Sequence, residues 1–276
     1  MNLYQKAKKL LNNEYEHNFE IVKDSHYHKS FVNEKIRHSL QVAGAGNGIL
    51  RNEPYFQNKS AEFIEIAKTA ILLHDVFRFN EIRIKYQENR KVDHGAEGAK
   101  LLAELPDFNM QQIVLPVKHH GHMIEEFYKD TEFTSIADEE LKDQIEHIIF
   151  AVRDADKIAN WQILTKEYEN MRLVWLPFPD DRTKNQGIIS DNVWESFIQG
   201  EVVPRDYLKT NADCLISVLA WAFDINYKYS FEYSVRLNML EGFEKIMHDL
   251  QIEQTKITYV MDTVKAYVEK RFGMKI

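Results

Sequence analysis

At 276 residues, with 44% hydrophobic and 28% charged side chains, the chain can bury a sizeable core and is too apolar to be intrinsically disordered. Its 35 basic and 43 acidic residues give a net charge of −8, which argues against binding a nucleic-acid polymer through the whole surface. A single cysteine, Cys214, excludes an intramolecular disulfide and a cysteine zinc site, and it fits a reducing compartment.

The first twenty residues, MNLYQKAKKLLNNEYEHNFE, lack a signal-peptide core, and Leu3, Ala7, Leu10 and Leu11 predict an amphipathic helix there. A second helix is expected over about 31–50. One apolar stripe is Ile36, Leu40, Ala43 and Leu50; the other is Phe31, His38, Val42, Ala45 and Ile49. A helix apolar on two faces is central, with His38 on its inner side. Gly44, Gly46 and Gly48 each cost up to about 1 kcal/mol relative to Ala and are expected to permit close helix packing. AGAGNGILR lacks the Gly-Lys-Ser/Thr ending of a phosphate loop, and no strand precedes it.

From about residue 61 a helix runs into the most informative stretch, AILLHDVFRF at 70–79. His74 and Asp75 sit between Leu73 and Val76. Buried ionisable groups are costly unless paired or bound to metal. The dipeptide alone is weak, since composition gives about 0.7 His-Asp pairs by chance. The other pair, His248-Asp249, is a useful control: His248 lies with Glu241, Glu244 and Lys245 on a polar face beside a stripe of Phe243, Met247 and Leu250.

A polar connection is expected over 80–92. Asp93 is then the predicted N-cap of a helix carrying His94, Leu101 and Leu105, broken at Pro106-Asp107. The next helix places Ile113, Val117 and His120 on one face and ends in HHGH, with Gly121 as its C-terminal stop. The longest helix begins near Ala137. Ile145, Ile149, Val152, Asp156, Ala159 and Ile163 form its buried stripe, so Asp156 is expected inward and Asp154, about 200° round the helix, outward.

LPFPDDRTKNQG at 176–187 is expected to be a surface loop or internal boundary. It divides a core over 1–175 from a helical extension over 176–276, packed on the core as one compact unit. Helices are predicted near 191–199, 211–226, 231–250 and 255–271, with no inward His/Asp set. The most apolar stretch, 214–225, is too short to span a bilayer. A cytoplasmic protein with no membrane association is the expectation.

Five predicted helices thus offer ligand-type groups on apolar faces or at ends: His38, His74 with Asp75, His94, His120 and Asp156. Aliphatic neighbours cannot satisfy all six, whereas one or two divalent ions would. Mixed imidazole and carboxylate donors suit Fe, Mn, Co, Ni or Zn rather than Ca or a purely Mg site.

HSLQVA, LLHDVFRF, DHGAEGAKLL, VKHHGH and RDADKIAN, in this order over about 31–164, resemble the HD-domain superfamily of metal-dependent phosphohydrolases. The resemblance implies an all-α fold: an HD-domain helical core followed by the C-terminal helical extension. It implies one metal on His38, His74, Asp75 and Asp156 and a second on His94 and His120, with Asp75 bridging. It again selects Asp156 over Asp154. VFRFNE stands where alarmone hydrolases carry a Glu-Asp pair, and GHMIEE where the HD-GYP phosphodiesterases carry Gly-Tyr-Pro.

The leading reading is a phosphomonoesterase or phosphodiesterase acting on a nucleotide-like phosphorylated small molecule. His74 and Asp75 lie at its catalytic centre, and Arg78, Lys118 and Lys157 are candidate phosphate partners. For the two lysines, surface charges paired with carboxylates are an equal alternative. His119 and His122 are groups that support the ligands or plain loop residues, with the loop reading favoured for His122. Two other readings are a di-iron oxygenase similar to the inositol-oxidising member of the superfamily, and a metal-loaded regulatory module without turnover.

Overall fold

The computed structural model describes residues 1–171 and 187–276, which are helices and their connections without a strand among them. The described chain divides into two compact units, Met1–Asp156 and Lys157–Ile276. The expected boundary at 175/176 and all but the last residue of the 176–187 loop lie outside the described residues.

The first unit contains α1 (Leu3–Val22), α2 (His26–Asn52), α3 (Pro54–Gln57), α4 (Ala61–Leu73), α5 (Arg78–Glu88), α6 (His94–Ala103), α7 (Gln111–His119), α8 (Ile124–Lys129), α9 (Thr131–Thr134) and the first half of α10 (Glu139–Met171). Helix starts follow local capping chemistry. Asn2, Ser25, Ser60 and Asp93 each accept a backbone N–H from the first turn of α1, α2, α4 and α6, and such caps contribute about 1 kcal/mol apiece.

Helix α4 is the axis of this unit. It packs against α1, α2 and α7, and every residue from Thr69 to Val76 is buried. Gly46 explains how α2 lies so close to it: a Cβ there would sit 2.6 Å from the Ile71 side chain. By contrast, a Cβ at Gly44 would meet nothing within 4 Å, so the close-packing role falls to Gly46. Leu40 of the predicted first stripe of α2 is exposed, while Val42, Ala45 and Ile49 are buried, so α2 is buried mainly along the stripe that carries His38.

The expected polar connection at 80–92 is a helix over most of its length, α5. Its sparse apolar pattern hides it in the sequence, because it is held partly by polar bonds to α1. Asn80 donates to Glu14 at 2.6 Å and Arg83 to Asn18 at 3.1 Å, while Phe79 and Ile84 supply the buried contacts. In α6 the core residue is Leu102 rather than the predicted Leu101. Gly121 is not a left-handed stop, and α7 runs out through His120, which keeps right-handed helical geometry.

The second unit contains the rest of α10, α11 (Asp191–Ile198), α12 (Asn211–Ala220), α13 (Lys228–Arg236), α14 (Met239–Asp249) and α15 (Gln254–Phe272). Trp161 is its buried centre, donating to the Val218 carbonyl at 2.9 Å with Phe231 and Phe243 against its ring. The helix predicted over 231–250 is broken in two. Asn238 takes a left-handed φ of 52° between α13 and α14, a conformation that asparagine tolerates. One acidic side chain points inward here as a helix cap. Asp213 is fully buried as the N3 partner of Thr210 in a capping box, and it accepts Ser190 Oγ at 2.7 Å.

Candidate metal centre

His74 and Asp75 lie just past the end of α4, in the turn 74–77 that leads into α5. The turn is closed by Val76 N–H to Leu73 O and Arg78 N–H to Asp75 O, both at 3.0 Å. Both side chains are buried, with Asp75 at 3% exposure. The other predicted residues converge on them from four more elements: His38 from α2, His94 from the start of α6, His120 from the end of α7 and Asp156 from α10.

Two groups of donors share Asp75. On one side, His38 Nε2 lies 2.9 Å from Asp156 Oδ1 and 3.9 Å from Asp75 Oδ2. His74 Nε2 lies 3.7 Å from Asp75 Oδ2 and 3.9 Å from Asp156 Oδ1. On the other side, His120 Nε2, His94 Nε2 and Asp75 Oδ1 form a triangle with edges of 3.2, 3.2 and 3.3 Å.

The tautomers follow from the backbone. His74 Nδ1–H donates to the Ile71 carbonyl at 2.9 Å and His120 Nδ1–H to the Val117 carbonyl at 2.8 Å. Each neutral ring therefore turns the lone pair of Nε2 toward the cluster, the arrangement that orients a metal-bound histidine. Burial pushes the His74 imidazole down to about 4, so it is neutral near pH 7. Burial also lowers His94, against the pull of Asp75. His120 is raised: burial opposes its charge, but the Asp75 carboxylate outweighs burial. For Asp75, burial favours the neutral acid, yet Arg78 and the surrounding imidazoles overcome it and hold the carboxyl well below the usual range. Asp156 is likewise held low against burial, chiefly by His38.

These residues fit a divalent metal. His74 Nε2 and Asp75 Oδ1 are buried and end without a hydrogen bond of good angle, although donors and acceptors surround them. A buried polar atom without a hydrogen-bond partner costs about 1–3 kcal/mol, and an ion in each of the two groups would remove that cost. Neighbouring ligand atoms around an ion with 2.1 Å bonds are about 3.0–3.4 Å apart, and the His94–His120–Asp75 triangle has that edge length. His38 with His74 and Asp75, His74 with His120 and Asp156, and Asp75 with His94 and His120 each bring three ligand atoms within 4.8 Å of one another.

Asp154 is fully buried, against the outward position that helix periodicity predicts, while Asp156 is partly exposed and faces His38. Of the two aspartates, Asp156 is the one whose side chain lies at the cluster. Residues 151–155 of α10 are all buried, so this helix has no solvent face there for a 100° pattern to reveal.

Among the candidate cations, Arg78 is at the centre. Its Nε lies 3.3 Å from Asp75 Oδ1 and its guanidinium donates to Glu81 at 2.6 Å. Lys157 Nζ is 2.8 Å from Asp224, and Lys118 is 2.8 and 3.0 Å from Asp130 and Glu132, so both lysines have carboxylate partners. His119 pairs with Asp130 at 2.5 Å and His122 with Asp93 at 3.1 Å; both brace the loop around His120. Glu81, Gly95 and Arg153 also shape the site and were not singled out by the sequence. Arg153 lies three residues before Asp156 on the same helix, a spacing that could have drawn attention to it.

Residues 36–161, just under half of the chain, match the family model of the HD domain, an interval that starts just before His38 and ends just after Asp156. No curated protein and no solved structure matches the chain. Taken with the helical fold, the match identifies residues 36–161 as an HD domain.

Proposed function

We propose that the protein is a phosphomonoesterase or phosphodiesterase that hydrolyses a nucleotide-like phosphorylated small molecule with one or two divalent transition-metal ions. The observation that carries this reading is the pair of buried atoms without a well-angled hydrogen bond, His74 Nε2 and Asp75 Oδ1, inside a ring of imidazoles and carboxylates. His38, His74, Asp75 and Asp156 would hold one ion, and His94 and His120 a second shared through Asp75. A divalent ion bound here supplies Lewis-acid polarisation of a phosphoryl oxygen and acidifies water near neutral pH.

The chain itself does the rest. The Nδ1–H bonds of His74 and His120 to Ile71 and Val117 fix both rings in the donor tautomer. Arg78 keeps Asp75 ionised and places positive charge beside the cluster. The side chains of Asp156, His94, Arg78 and Glu81 are 22%, 15%, 27% and 23% exposed, whereas those of His38, His74, Asp75 and His120 are at most 4% exposed. The first four are the groups of the cluster that solvent reaches, and Arg78 supplies the positive charge among them.

The test is metal analysis of the purified protein followed by a phosphate-release screen with nucleoside mono-, di- and triphosphates and dinucleotides. Metal-dependent phosphate release from one of these classes is expected. A fully metal-loaded protein that releases none would contradict the proposal.

A further inference from the structure

Arg153 is buried in α10, one helical turn before Asp156, and its guanidinium reaches the C-terminal end of α7. One terminal nitrogen donates to the carbonyls of His120 at 3.2 Å and His119 at 3.4 Å, and to the carbonyl of His122. The last carbonyls of a helix have no partners within it and carry partial negative charge, so a buried cation there both satisfies and orients them. These carbonyls belong to the turn that carries His120.

The same turn is tied on its flanks. His119 bonds Asp130, the N-cap of α9, and His122 bonds Asp93, the N-cap of α6. Arg153 adds the tie to α10, the helix that supplies Asp156. We propose that Arg153 is a positioning residue: by gripping the 119–122 backbone it sets the place of His120 relative to Asp75 and Asp156, and so couples the two halves of the centre. The inference rests on the reading that His94, His120 and Asp75 hold an ion.

The experiment is Co(II) titration of metal-stripped wild type, Arg153→Met and Arg153→Lys, followed by calorimetry and the visible absorption of bound Co(II). Amide hydrogen exchange over 119–122 is measured on the same metal-free samples. Wild type is expected to take up two equivalents. Arg153→Met should retain one and bind the other at least about tenfold more weakly, and Arg153→Lys should recover part of that loss. Exchange over 119–122 should rise in both variants while exchange in α4 stays at the wild-type rate.

If both variants bind two equivalents with wild-type affinity and spectrum, Arg153 is merely structural and the inference fails alone. If wild type binds no Co(II), the metal reading fails and takes the inference with it. If Arg153→Met does not fold, Arg153→Lys decides: unchanged second-site affinity and unchanged 119–122 exchange would overturn the proposal.

Discussion

His94 Nε2 and His120 Nε2 meet at 3.2 Å because the residue after His94 is a glycine. A Cβ at Gly95 would sit 2.7 Å from the Lys118 carbonyl oxygen and 3.2 Å from that of Val117, the same carbonyl that fixes the His120 ring. Neither backbone atom can step aside as a flexible side chain would. Gly95→Ala is therefore expected to push the start of α6 off the end of α7. Overpacking of this kind costs about 1–3 kcal/mol, and displaced ligand support lowers metal affinity by about 10–100-fold. Urea unfolding and Co(II) titration check both numbers; a variant that matches wild type in both would show that the close approach is not needed.

The two aspartates of RDADKIAN should separate cleanly. Asp156→Asn is expected to reduce bound metal, because Asp156 faces the cluster with Oδ1 2.9 Å from His38 Nε2. Asp154→Ala is expected to lower metal-free stability by at least about 1 kcal/mol, since the residue is fully buried with a partner that would be left behind. Metal content and melting temperature of the two variants read this out. Equal effects of both on metal would undo the assignment.

Asp130 gives a pH dependence away from the centre. Its side chain is 7% exposed. Burial raises its pKa, but bonds from Lys118, His119 and the Glu132 N–H outweigh burial and bring it from 3.8 to about 2. A carboxyl with a depressed folded-state pKa stabilises the fold above its unfolded value and loses that contribution as the pH falls. The metal-free protein should thus lose stability from this group as the pH falls from about 4 to about 2. Measured as the difference between wild type and Asp130→Asn, the gap should be present at pH 6 and close by pH 2. A gap independent of pH would contradict the ion-pair account.

Metal removal should lower stability as well. An ion that binds only the folded state adds about 2.7 kcal/mol at a free concentration 100 times its dissociation constant. Chelation should lower the melting temperature, and re-addition of the ion should restore it. An unchanged melting temperature in a protein shown to lose its metal would mean that the cluster stands without an ion.

The helical fold and the six convergent residues were legible because apolar runs with period 3.6 make inward His and Asp conspicuous. His248 was legible for the opposite reason, and it is exposed on α14. What escaped was whatever depends on contacts distant in sequence. Helix α5 is held partly by polar bonds to α1, so its own pattern is weak. Asp154 is buried because α10 is covered all round at that point, which an amphipathic reading cannot register. Arg153 acts on backbone carbonyls more than thirty residues away, and no spacing in RDADKIAN encodes them.

A bridging Asp75 would join both halves of the metal centre. The most direct measurement is metal per chain, with phosphate release from any substrate the screen identifies, in wild type, Asp75→Asn and a His248→Ala/Asp249→Ala control. Asp75→Asn keeps the shape but removes the charge. It should lose bound metal and at least about a hundredfold in turnover, equivalent to about 2.7 kcal/mol of transition-state stabilisation, while the control retains both. Near-normal metal content and turnover in Asp75→Asn would contradict the bridging role and leave the buried pair a structural feature.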